Sequence, residues 1–254
     1  MDKNLLSSPH LHSLDNTAYT CRLLTRSPSE LHAFKSCLLQ ARNLRLLTLR
    51  MTTYRNVIGS SPPDLVDGEV NLQFSEHDHF PALQELVLDC YDVYYLSAPH
   101  CETWVKAMDW TRLRSLDLGH ATPQYLLPAL SGKIPGLLCL TMGWWPNHNG
   151  PQATWRSPDL DTVRRFLEGI DALERVTLYS WNDKEASQIR PSLLEKHGKS
   201  LKRLEARLDF RDAWKSEHFD ELLEKAPNLQ ELTVTGEIWQ VRRYPGERSA
   251  WVRS

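Results

Sequence analysis

The run Glu76-His77-Asp78-His79 gathers four side chains that can ligate a metal ion. A zinc site needs three or four ligands at set spacings. No third spaced histidine or cysteine accompanies this H-x-H pair, so the run reads as a polar loop before Pro81 and no metal is expected. The H-E-x-x-H, G-x-S-x-G and G-x-x-x-x-G-K-S/T patterns are all missing from the sequence. The five cysteines, at 21, 37, 90, 101 and 139, are odd in number and form no C-x-x-C. They read as idle or buried thiols rather than a disulfide framework. Cys139 has no sequence neighbour that would activate it. No catalytic residue and no cofactor is assigned, and the chain is expected to be non-enzymatic. The competing reading, an enzyme, would require groups converging from distant segments.

The side chains that suggest recognition lie beside leucines at a recurring place. Glu85, Asp89 and Asp117 form one group, and Arg175, Tyr179, Arg203 and Arg207 another. Cys139, Thr141 and Gly143 fall between them. A face divided in this way suits a bipolar protein or peptide. Trp144, Trp145 and Trp181 follow just after such segments, within a chain that has nine tryptophans. Aromatic rings supply large contact area and are enriched among binding hot spots. The competing role for these rings is packing between irregular loops. The tail from Gln240 carries four arginines interleaved with Tyr244 and Trp251. It reads as a terminal cap over the last unit rather than an RNA contact.

What would hold these residues in place is a repeated frame. NLRLLTLR, ALQELVLD, RLRSLDLG, GLLCLTMG, ALERVTLY, SLKRLEAR and NLQELTVT share the pattern L-x-x-L-x-L or a near variant. Their leading leucines are Leu44, Leu83, Leu113, Leu137, Leu173, Leu201 and Leu229. Leucines two apart lie on one face of a strand, and the residues between them point the other way. Segments with helical spacing precede the strands: Ser29 to Ala41, Cys101 to Trp110, Gln124 to Leu130, Asp159 to Leu167, the stretch after Pro191, and the stretch after Ser216. The frame predicts an α/β leucine-rich-repeat solenoid of about seven repeats, with parallel strands lining a concave face and helices on the convex side. Residues 29–236 would form it, residues 1–28 an N-terminal segment that is partly disordered or a degenerate cap, and residues 237–254 a C-terminal cap or tail. A doubly wound α/β domain is the alternative, but its strands are usually continuous apolar runs.

Most repeats of this kind carry Asn or Cys at the ninth position, where the side chain bonds loop backbone. Here that position holds Thr52, Tyr91, Ala121, Trp145, Trp181, Asp209 and Glu237. The loops must satisfy their backbone groups another way, with water as one route, and the arc is expected to be uneven.

Hydrophobic residues make up 41% and charged residues 24%, as in ordinary folded proteins. A formal charge of −2 gives no bulk attraction to nucleic acid or anionic membrane. The first sixteen residues lack the apolar core of a signal peptide, and no run reaches the roughly 18 apolar residues of a membrane span. The expected location is the cytoplasm or nucleus, and nucleic acid is not the expected partner.

The stretches Val70 to Asp92, Trp104 to Gly119 and Pro123 to Met142 resemble the leucine-rich-repeat region of fungal F-box-like proteins. The likeness continues more loosely to about Thr235. It implies a substrate receptor of an SCF-type ubiquitin ligase, in which an F-box binds a Skp-type adaptor and the repeats capture a protein for ubiquitylation. Besides the ninth position of its repeats, the sequence departs from that family in its F-box. Its only Leu-Pro pair is Leu127-Pro128, inside a repeat, and no L-P-x-E opening precedes the repeats. No residue is assigned to adaptor binding. A stand-alone or truncated repeat protein without a ligase role is the other reading of the same resemblance.

Overall fold

A computed structural model describes residues 11–19, 35–36, 38–52, 74–75, 77–79, 83–88, 98–119, 122–144, 158–180, 191–208, 216–234, 237–242 and 250–253. Ten strands form one open sheet whose order follows the chain. They are β1 (Ser13–Tyr19), β2 (Leu46–Thr52), β3 (Glu85–Val87), β4 (Ser115–Asp117), β5 (Cys139–Trp144), β6 (Arg175–Ser180), β7 (Arg203–Leu208), β8 (Glu231–Val234), β9 (Glu237–Arg242) and β10 (Ala250–Arg253). Strands β1 to β8 run parallel, whereas β9 and β10 return antiparallel. A doubly wound sheet reverses its strand order part-way, and this sheet does not.

The leucine frame sets the register. Leu14, Leu47, Leu86, Leu116, Leu140, Val176, Leu204 and Leu232 stand side by side across the eight parallel strands. All are buried, as are Leu49, Leu88, Leu118, Met142, Leu178 and Ala206 two residues further along. The seven leading leucines are no more than 1% exposed. Burying one such side chain contributes about 1.5–3 kcal/mol. No single strand buries its own leucines, so the core is continuous from Leu14 to Leu232.

The sheet extends further toward the N-terminus than the expected repeats do. Strand β1 lies within residues 1–28 and pairs with β2 over its whole length. Leu11 and Leu14 supply an L-x-x-L frame there, but Asn16 stands where the third leucine would be.

Helices α1 (Ala98–Ala107), α2 (Leu126–Leu130), α3 (Leu160–Glu168) and α4 (Ser216–Lys225) cover the leucine face, with short 3-10 turns at Trp110–Arg112 and Pro191–His197. Residues 35–36 and 38–40 are also helical. Helix α1 buries Cys101, Trp104 and Ala107, and α3 buries Val163, Phe166 and Leu167. Helix α3 starts at Asp159, whose carboxylate accepts from Thr162 N at 2.7 Å. That bond holds the Asp159 carboxyl below the usual carboxylate range. Helix α1 packs on α2, and α2 on α3, so the helices stack in chain order like the strands.

Main-chain bonds repeat with the same period. At the entry to each strand, one carbonyl accepts two consecutive N–H groups of the next unit. The acceptors are His12, Arg45, Gln84, Arg114, Leu138, Glu174 and Lys202. The N–H groups of Leu44, Leu113, Leu137, Leu201 and Leu229 donate to carbonyls three or four residues earlier. Leu173 departs from this: its N–H donates to Nδ1 of His197 at 3.3 Å. The other ring nitrogen of His197 lies 3.1 Å from the Leu167 carbonyl. Because Leu173 N–H can only donate and Leu167 O can only accept, the ring is neutral with its proton on Nε2. Fully buried His197 thus satisfies two backbone groups of the preceding unit.

Close approach of neighbouring units explains Gly198. A Cβ at this position would lie within van der Waals distance of the Lys225 carbonyl carbon and overlap its oxygen at the end of α4. Backbone on both sides leaves little room to relax. Gly198→Ala is expected to cost about 1–3 kcal/mol, read as a lower urea midpoint. An unchanged midpoint would contradict the packing of α4 on this turn.

Candidate functional site

The face opposite the leucines is open to solvent, and register decides which residues share it. One row crosses β3 to β8 as Glu85, Ser115, Cys139, Arg175, Arg203 and Glu231. The next row, two residues further on, runs Val87, Asp117, Thr141, Thr177, Glu205 and Thr233. A third holds Gly143, Tyr179 and Arg207 on β5, β6 and β7. The structure therefore brings Glu85 and Asp117 together diagonally on adjacent strands, about 7–8 Å apart at the backbone. It also brings Arg175, Tyr179, Arg203 and Arg207 together on β6 and β7. Asp89, Trp145 and Trp181 lie outside the described residues. Trp144 ends β5, and its side chain is likewise outside the description.

Charge on this face is more evenly balanced than the grouping of residues in the sequence suggests. Arg203 is bonded to Glu231 directly opposite it. Arg207 is bonded to Glu205 on its own strand and stacks over the Tyr179 ring, 5.4 Å from its centre. Each carboxylate bond raises the pKa of its arginine further above the usual guanidinium range. Both pairs are exposed, so each contributes at most about 1 kcal/mol. Arg175 is different: its Nε donates to Cys139 Sγ at 3.2 Å, and no carboxylate meets it among the described residues. Glu85 is exposed and has no cation partner among them. Asp117 has a local role as well, accepting from Gly119 N at 2.8 Å. That bond closes a turn in which Gly119 takes φ 63°, a conformation most other residues resist.

Side chains also bond the main chain of neighbouring units, at a strand exit in one case and at strand entries in three. Thr122 is buried, donates its N–H to the Gly143 carbonyl and accepts from Gly143 N through its hydroxyl. Arg114 donates to the Gly136 carbonyl, Ser200 to that of Leu173, and Asn228 to that of Lys199. Each bond links neighbouring units without water.

Other candidate chemistry is given structural work. Asp78 of the HDH run pairs with Lys35 and accepts from Ser75 N. No group of three or more metal-binding side chains occurs among the described residues. Burial pushes the Cys101 thiol up to about 12, with Glu102 adding to the shift. It is a core residue without thiolate character at neutral pH. Trp104 and Trp110 are buried, and the Trp110 indole donates to the Trp104 carbonyl. A cavity of about 20 Å3 beneath α1 is lined by apolar side chains including Leu49, Phe74, Trp104 and Met108. It has room on the order of one water molecule and no titratable wall. No helix among the described residues is long and apolar enough to cross a membrane.

Scanned against protein-family models and against curated proteins, the chain matches none.

Proposed function

We propose that this chain is a non-enzymatic protein-binding module, an irregular leucine-rich-repeat arc whose open sheet face is the concave recognition surface. The observation that carries the reading is the register. The frame leucines align strand by strand on the covered face, which leaves Glu85, Asp117, Arg175, Tyr179, Arg203 and Arg207 displayed on the other. A broad sheet of short-side-chain positions edged by charge suits a protein surface better than a small molecule, which is usually held in a concave pocket.

The likeness to fungal F-box-like repeats supports a narrower form, the substrate-recognition part of an SCF-type ubiquitin ligase. In that form the partner is a ubiquitylation substrate, and a Skp-type adaptor joins through a surface these residues do not identify. The alternative is a repeat protein acting without the ligase. Purification of the tagged chain from its native cells, with quantification of adaptor and cullin, separates the two. Near-stoichiometric adaptor and cullin would support the ligase form. Their absence beside another enriched protein would leave the stand-alone module.

A further inference from the structure

The geometry points to an extended peptide segment as the occupant of this face, lying across β3 to β6 with an acidic side chain on Arg175 and a basic side chain four residues away on Glu85. This rests on the reading of the face as a binding surface and names the chemistry of its partner.

Three observations lead there. First, Arg203 and Arg207 already hold Glu231 and Glu205, whereas Arg175 and Glu85 lack opposite charges among the described residues. Second, Glu85 and Arg175 stand in one row with Ser115 and Cys139 between them. Three strand spacings separate them, about 14 Å. The Nε bond to Cys139 tilts the guanidinium over that interval and leaves its terminal nitrogens for an incoming anion. Third, the floor between the two charges consists of the small side chains Ser115 and Cys139, with Thr141 beside them, so a partner backbone can approach closely.

Residues four apart in an extended chain are about 13–14 Å apart and point the same way. The same reach along a helix takes about nine residues, which turns the second side chain to the far side. Helical residues on one side stand about 10.5 or 16.5 Å apart instead, so the spacing favours an extended segment. The residue midway between the two charges faces the small side chains Ser115 and Cys139.

Selection of a displayed random 12-residue peptide library against the full chain tests this. Enriched peptides should carry opposite charges at i and i+4 and weaken on the order of tenfold on Arg175→Glu. The double variant Glu85→Lys/Arg175→Glu should bind the same peptide with its two charges exchanged. Ser115→Trp, with Thr141→Trp as a second block, should abolish binding while the melting temperature holds. Peptides that are blocked by tryptophan but lack the charge pattern, or ignore the swap, would overturn the inference and leave the face as a binding surface. Peptides indifferent to both tryptophans would overturn the inference and the face reading together. A selection that enriches nothing overturns the inference.

Discussion

Leu116→Asp is expected to unfold the chain or to lower its melting temperature by more than about 8 °C. Leu116 is 1% exposed and lies between Leu86 and Leu140 in the continuous core. Removing a buried leucine costs about 2–5 kcal/mol. An unpaired carboxylate in its place adds a desolvation penalty of several kcal/mol or forces the group to take a proton. Together these approach the whole stability of a typical domain, and about 4 kcal/mol alone shifts the midpoint of a chain this size by 8–16 °C. The control is Cys139→Asp on the neighbouring strand. That position faces the other way, beside Arg175, and the substitution should change stability by no more than about 0.5 kcal/mol. Equal effects at the two positions would contradict the alternation that defines both faces.

His197→Leu is expected to destabilise the chain by about 1–3 kcal/mol. It orphans the Leu173 N–H, and a buried unsatisfied group costs about that much; the Leu167 carbonyl keeps the Ile170 N–H as a donor. His197→Gln can keep one donor and one acceptor and should cost less. The same site gives a pH dependence with a definite sign. Burial depresses the His197 pKa, and Lys196 adds to this against the Leu167 bond. The unfolded chain therefore takes up a proton near pH 6.5 while the folded chain still refuses it. The contribution is present in full above about pH 6.5 and is lost as pH falls below that toward the depressed folded value. Urea midpoints at pH 7.5 and 5.5 should differ more for wild type than for His197→Gln. The comparison matters because the chain has ten histidines in all. Equal differences would remove His197 from the account.

The sheet was legible in the sequence because its register is a simple period. Leucines at the first, fourth and sixth places of each frame predicted the strands, their inward faces and their parallel order. Strand β1 escaped because Asn16 interrupts the frame after Leu11 and Leu14, although L-x-x-L was present as a signal. The antiparallel return through β9 and β10 carries no leucine frame, so the sequence predicts only a cap there. His197 could not be assigned a role from sequence, since its partners are backbone groups 24 and 30 residues away. The charge balance was partly legible. Glu231 and Arg203 occupy the same place in adjacent frames, so their pairing follows from register, yet grouping arginines by sign alone hid it. The loop aromatics remain an expectation, because Trp145 and Trp181 lie outside the described residues.

The most direct test of the open face as the binding surface compares wild type with Arg175→Glu/Arg203→Glu in quantitative affinity purification from native cells. Both positions are exposed, so the variant should stay folded, and loss of the Arg203–Glu231 pair should lower its melting temperature by no more than about 4 °C. The account predicts a near-stoichiometric protein partner with the wild-type chain, reduced at least about tenfold with the variant. Capture of the same protein in equal amount by both chains, or of none by the wild type, would contradict it.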